Sequence, residues 1–344
     1  ALAAEVERLR QTTAGLTTHP LTRVARKGPL RLSFPQERLW FFDQMEPQSG
    51  AYNIPRAIRL RGPLNTDALQ QSFDGLVDRH EALRTIFVNN NGTPALVIEE
   101  LGRVKIQHLD LRHLPEAERE EKSRTLANEE TKRPFDLKQG PLLRAVLVQL
   151  DDNDHVLLLT IHHIISDGWS MGILLSELAF FYNSLVGGTK LSLPDLPVQY
   201  IDFAAWQRGL LSGETLRGQV EYWVDHLSGV PATINLPTDR PRPAVRSFRG
   251  AKHSVKIAKA VKDRLITLGR EQRATVFITL LTAFQMLLAC ITGDEEVVVG
   301  SPIAGRSRRE TENVIGNFIN TILLRAKFSD DPDFNKMLRE VREV

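Results

Sequence analysis

The chain holds a single cysteine, Cys290, among 344 residues, which excludes a disulfide framework and a thiolate metal site. Charge of one sign is also missing. With 44 basic and 42 acidic residues the net charge is +2, so no nucleic-acid partner is expected. The one dense basic stretch, Arg306 to Arg309, is too short for an electrostatic footprint and reads as a solvated loop, Arg306 aside. No apolar run is long enough to span a bilayer, which takes about 20 residues. The longest, Val276 to Ile291, is interrupted by Thr279, Thr282 and Gln285, and a buried, inert Cys290 is expected within it. No secretory signal opens the chain, since Ala1 to Thr18 is charged and amphipathic. The expectation is a cytoplasmic protein without a membrane partner, in which the Asn91-Gly92-Thr93 sequon is only a turn. What is present is ordinary for a soluble globular protein, 42% hydrophobic and 25% charged, with length for one large domain or two modest ones.

Residues 1–27 read as a linker from a preceding domain, and structured sequence begins near Leu32. Asn65 or Thr66 caps a helix with apolar spacing at Leu69, Phe73, Leu76 and Val77. Short strands are expected at Leu83–Val88 and Ala95–Ile98, then a charged helix over 115–131 that Pro134 ends. Leu142–Leu150 and His155–His163 form a strand pair around Asp151-Asp152-Asn153-Asp154. The second of these has apolar residues on both faces, Leu157, Leu159 and Ile161 against Val156 and Leu158, the pattern of a doubly buried strand. A helix runs from Ser170 to Val186, and the prolines of Leu191 to Pro197 suggest a hinge. Two helices follow, then strand 252–257, helices 258–268 and 274–290, strands 296–299 and 318–327, and a final helix. Strands alternating with helices in both halves indicate an α/β arrangement in two lobes, 28–196 and 197–344, without sequence repeats.

The doubly buried strand ends in His162-His163-Ile164-Ile165-Ser166-Asp167-Gly168. A metal is not expected here, because adjacent strand residues face opposite ways and no third ligand is near. A structural reading makes both histidines satisfied core residues, with Asp167 capping the next helix. A functional reading turns one imidazole to a cleft as general base, where a pKa near 6.5 suits proton transfer at pH 7. Asp167 then orients that histidine or pairs with a distant arginine. A rival pattern overlaps: Gly168-Trp169-Ser170-Met171-Gly172 matches the G-x-S-x-G elbow of α/β-hydrolases, with Ser170 as nucleophile. Only His226 and His253 follow it as partners, each in a charged segment.

The run from His162 to Gly168 resembles the HHxxxDG signature of the condensation-domain superfamily of nonribosomal peptide synthetases. Four more segments resemble that family's motifs in order: Ser33 to Phe41 with Ala51 to Pro55, Arg79 to Phe87, Tyr200 to Gln207, and Ile315 to Thr321 ending at Arg325. The resemblance implies two lobes, each like chloramphenicol acetyltransferase, in a V-shaped pseudo-dimer with a tunnel between them. Its later motifs are missing, so the second lobe is expected to be truncated at the C-terminus. Carrier protein domains upstream and downstream, with an adjacent adenylation domain, would deliver 4'-phosphopantetheine-tethered substrates, and no cofactor is bound by the domain itself.

By motif position the resemblance implies that His163 is catalytic and His162 its inward neighbour. It also implies that Asp167 is held across the lobes by Arg306, that Trp169 and Asn320 line the tunnel, and that His80 and Arg84 are structural. Trp-Ser-Met after Gly168 departs from epimerisation domains, the histidine pair departs from heterocyclisation domains, and Ile-Ser-Asp-Gly leans toward two L substrates. The reaction implied is attack of an acceptor α-amine, pKa near 7.7–8, on a donor thioester, with His163 taking the proton and the Gly168 N–H holding the oxyanion. Two other classes stay open, the Ser170 hydrolase and a non-catalytic module that only docks carrier domains.

Overall fold

A strand with apolar side chains on both faces must be covered on both sides, and the computed structural model is built around one. It describes residues 20–27, 30–90, 92–100, 103–189, 192–241, 243, 250–251, 253–328 and 333–343. Residues 1–19 of the expected linker and Asn91 of the sequon lie outside these. The chain divides into two units, one running to Ser212 and including Ala304–Ile319, the other holding Gly213–Ile303 and Asn320–Val344.

In the first unit a sheet has the order β1 (Asn53–Arg61), β6 (Asp154–His162), β5 (Leu143–Asp151) and β4 (Ile106–Asp110). β6 is antiparallel to both neighbours, and β4 is parallel to β5. Leu157, Leu159 and Ile161 face the main core, while Val156 and Leu158 face a second cluster with Val146, Val148 and Leu150. Leu126 and Ala127 of α3 (Glu116–Lys132) pack on that second cluster. Both faces predicted for this strand are therefore filled, by different parts of the chain.

The main core is closed by α2 (Thr66–Arg79), capped by Asn65 accepting from the Ala68 N–H at 2.9 Å, and by α4 (Gly168–Val186). It also receives α5 (Tyr200–Leu210) and Val314, Ile315 and Phe318 of the returning segment. The separate hairpin β2 (Thr85–Asn90) and β3 (Thr93–Ile98) lies close to its predicted place. α1 (Phe34–Met45) starts with a capping box, in which the Ser33 and Gln36 side chains each accept from the other's backbone N–H.

The expected lobe boundary after residue 196 falls inside this first unit. Arg23 donates to the carbonyls of Leu196 and Pro197, at 2.6 Å to the former, and Asp202 accepts from Val24 N–H and Arg26. The described end of the expected linker, 20–27, is thus tied to the start of α5. His80 is fully buried with Nε2 2.7 Å from Glu177, and Arg84 donates to the Glu99 carbonyl, which gives both a structural place.

The second unit holds α6 (Gly213–His226), α7 (Lys259–Glu271), α8 (Val276–Thr292), the antiparallel pair β7 (Glu296–Ile303) and β8 (Asn320–Lys327), and α9 (Phe334–Glu343). Two expectations fail here. Residues 253–257 form no strand, and no strand among the described residues pairs with them; Val255 is exposed. Cys290 is exposed rather than buried. The reason lies in how α8 is turned. Thr279, Thr282 and Gln285 are its fully buried residues, the threonine hydroxyls bonded one turn back and Gln285 Nε2 to the Leu324 carbonyl at 2.9 Å. Phe277, Phe284 and Leu287 are instead about half exposed. No single described helix is long and apolar enough to cross a membrane.

Gly305 starts the returning segment with φ of 65°, and a Cβ there would lie 2.0 Å from the Phe318 carbonyl oxygen. Gly305→Ala is expected to destabilise the first unit by at least about 2 kcal/mol, because left-handed strain and a backbone clash act together. Chemical denaturation of wild type and variant checks this, and an unchanged midpoint would contradict it.

Candidate active site

β6 delivers its last residue, His162, into the interior, and the chain then tightens into a 3-10 turn at His163–Ile165. The two histidines consequently part. His162 is 3% exposed, its ring edge-on to Phe135 with centroids 6.0 Å apart, and its Nδ1 accepts from the Ile164 N–H at 3.1 Å. Desolvation, followed by the charges of His163 and Arg144, pushes its pKa down to about 3. It is a neutral packing group at pH 7. His163 is only partly buried, and its backbone N–H donates to the Tyr52 carbonyl at 2.9 Å.

Asp167 does not contact either imidazole. Fully buried at the N-cap of α4, its carboxylate accepts from Ser170 N–H at 2.7 Å and from Phe318 N–H at 3.1 Å. Arg306 approaches it at 3.3 Å, with both side chains nearly inaccessible. The guanidinium makes closer bonds to the Val314 carbonyl and Ser170 Oγ, each at 2.8 Å, and to the Thr311 carbonyl. It also lies 3.9 Å over the Phe318 ring. Burial lowers the pKa of Arg306, and Asp167 opposes that shift. Arg306 is therefore no solvated loop residue, and this pair lies within the first unit.

Ser170 has no hydroxyl to spare. Its Oγ donates to the Gly316 carbonyl at 2.8 Å and accepts from the Gly316 N–H at 3.0 Å and from Arg306, with the residue fully buried. It sits in the first turn of a helix rather than on a strained elbow, so the geometry speaks against a Ser170 nucleophile. Gly316 itself lies flat on the Tyr200 ring, where a Cβ would come within 1.8 Å.

Gly168 and Trp169 are exposed at the helix start. A Cβ on Gly168 would meet nothing within 4 Å, so packing inside the chain does not demand a glycine there. The Trp169 indole N–H donates to the Glu312 carbonyl at 3.0 Å. A cavity of about 560 Å³ along α4 reaches both residues together with Glu177 but is not lined by His163. Asn320 is the first residue of β8 in the second unit and is exposed. Sequence reasoning placed Ser33, Gln36 and Tyr200 inside motif-like segments but gave them no part in this site, and the Ser-x-x-Gln spacing was the available signal for the first two.

The chain that carries these residues has relatives among known proteins. The family model for the condensation domain matches residues 27–344. The chain belongs to the condensation-domain family. This condensation domain is 46% identical over 331 residues to one of the linear gramicidin synthase proteins of Brevibacillus parabrevis, covering 96% of the chain and 4% of that protein. It is 40% identical to phosphinothricin tripeptide synthetase PhsC of Streptomyces viridochromogenes, covering 92% of the chain and 29% of that protein. The condensation domain thus spans less than a third of either relative's length.

Among solved structures it is similar to the X-domain from teicoplanin biosynthesis, 27% identical with a TM-score of 0.86 over 94% of this chain and 71% of that one. The first condensation domain of the calcium-dependent antibiotic synthetase, 20% identical, shares its α/β fold with a TM-score of 0.75 over 92% of this chain and 73% of that one.

Two outcomes follow for the condensation domain. An unfolded His162 binds a proton below about pH 6.5 and the folded one does not until about 3. Its contribution is complete above the unfolded pKa and is lost as pH falls through that window, at about 1.4 kcal/mol per pH unit. His162→Asn keeps an acceptor for the Ile164 N–H without titrating, so thermal melts on acidification should show a shallower acid limb; an identical limb would count against this account. Asp167→Ala strands a buried guanidinium and is expected to lose about 3–5 kcal/mol in denaturant titrations.

Proposed function

We propose that this condensation domain forms an amide bond between a donor aminoacyl or peptidyl thioester and the amine of an acceptor aminoacyl thioester. Both substrates would hang on the 4'-phosphopantetheine arms of carrier proteins. The observation that carries this reading is the division between the histidines: one is sunk and neutral, while the other, just past the strand end, is only partly buried. The kinship with peptide synthetases supports the substrate class.

Chemically, the acceptor nitrogen attacks the thioester carbonyl, a C–N bond forms and the C–S bond breaks. The ammonium proton of the tetrahedral intermediate passes to His163 and leaves with the departing thiolate as thiol. An α-amine with a pKa near 7.7–8 is already partly neutral at pH 7, so the histidine matters most after attack. Alignment of two tethered reactants supplies as much again. Gly168, open and at a helix start, leaves room for the carbonyl oxygen near its N–H.

The wider arrangement belongs to the same reading. Two acetyltransferase-like lobes would meet in a V with Trp169 and Asn320 along the tunnel, the second lobe being completed by further chain. Support for completion comes from the half-exposed apolar face of α8 and from the solved condensation domain, of which this chain covers 73%. Upstream and downstream carrier domains, an adenylation domain and a cytoplasmic setting complete the proposal.

The test loads donor and acceptor on separate carriers, adds the parent polypeptide and reads each carrier by intact-protein mass spectrometry. The acceptor carrier should gain the donor mass, and His163→Ala should slow that gain by about 10²–10⁴-fold. Ser170→Ala should lower stability by about 1–3 kcal/mol through unpaired buried groups, with no free donor acid released before or after the change. Free donor acid in place of a heavier acceptor, with Ser170 as the sensitive position, would overturn the reading.

A further inference from the structure

His163 lacks the side-chain partner that usually aims a catalytic imidazole. Among the described residues its Nδ1 is buried and makes no hydrogen bond. In a serine-protease triad a carboxylate holds that nitrogen; here Asp167 is taken up by Ser170, Phe318 and Arg306. The aim of the ring must then come from the backbone of its turn. On one side the His163 N–H is fixed to the Tyr52 carbonyl. On the other, Gln36 Nε2 donates to the Ile164 carbonyl at 3.3 Å.

Gln36 is itself immobilised. It is 2% exposed, and its Oε1 accepts from the Ser33 N–H at 3.1 Å. Ser33 Oγ lies 2.7 Å from the Tyr200 hydroxyl, which donates to the Asn317 carbonyl. The residues on either side of Asn317 are the two that Ser170 and Asp167 hold. The path therefore leaves the chain at Ile164, the residue after His163, and returns at Asp167, so that hydrogen bonds and main chain together close around residues 164–167.

We propose that Gln36 is a positioning residue for His163, holding the Ile164 carbonyl so that the turn keeps the imidazole in one orientation. This rests on the reading of His163 as the base. The amide does two jobs with two atoms: the oxygen caps α1, and the nitrogen steers the turn.

That division supplies the test. Gln36→Met keeps the side-chain length and loses both bonds, whereas Asn65→Ala removes the cap of α2 and leaves every bond of this path in place. The chain is labelled with 15N-histidine, the His163 ring signal being identified by its loss in His163→Ala. Condensation rates are measured in the parent polypeptide with loaded carriers. Both variants should melt earlier. Only Gln36→Met should shift or broaden the His163 signal and lower kcat by roughly 100-fold, the scale on which a misplacement of about 1 Å acts, with KM for the carriers unchanged. A wild-type His163 signal or a wild-type kcat in Gln36→Met overturns the inference, as does an equal kcat loss in Asn65→Ala. A slow His163→Ala beside a fast Gln36→Met sinks the positioning role alone; a fast His163→Ala removes the base and the positioning role together.

Discussion

One buried carboxylate organises the neighbourhood of the candidate base. Asp167 ends the histidine turn, caps α4 through the Ser170 N–H, and receives the Phe318 N–H from a segment some 151 positions further along the chain. A desolvated carboxylate is costly unless its oxygens are filled, and here N–H groups and a guanidinium fill them. The pairing with Arg306 is long at 3.3 Å, so its importance lies less in Coulomb energy than in specifying one arrangement. Arg306 is bound chiefly by carbonyls, Ser170 and the Phe318 ring. Cation and anion each bind the backbone that the other also needs in place.

Around that knot the two histidines divide their work by geometry. The strand period would put neighbours on opposite faces, and the 3-10 turn then begins at the second, whose N–H still bonds across to the Tyr52 carbonyl. His162 becomes a packing group that no ordinary pH protonates in the fold, while His163 stays within reach of solvent. Asp167 serves neither as a proton relay.

Much of this is legible in the residues alone. Apolar residues on both faces of residues 155–163 announce a covered strand, and both coverings are present. The motifs mark His162, His163, Asp167 and Arg306, and the structure brings Asp167 and Arg306 together. What escapes is tertiary. β1 carries Pro55, Arg56, Arg59 and Arg61, suited to the edge of a sheet and unlike a core pattern, so its strand does not show. The stretch 304–319 packs with the first unit although it follows a strand of the second, which no local periodicity records. α8 misleads most plainly: its few polar residues face the interior, so reading Cys290 from its apolar neighbours inverts its exposure. The role of Ser170 is hidden by a five-residue coincidence with another enzyme class.

The returning segment buries the side chains of Val314, Ile315 and Phe318, but many of its polar contacts run through its main chain. Asp167 takes an N–H, Ser170 takes both polar groups of Gly316, Tyr200 takes the carbonyl of Asn317, and Arg306 takes those of Thr311 and Val314. Trp169 likewise reads Glu312 only by its carbonyl. Such recognition is blind to lettering wherever a side chain points outward. Glu312 and Asn313 are exposed, so their identities are free to drift or be rewritten while the register of the whole segment is kept. The fold thereby holds a surface whose chemistry is adjustable a few residues from the buried Arg306.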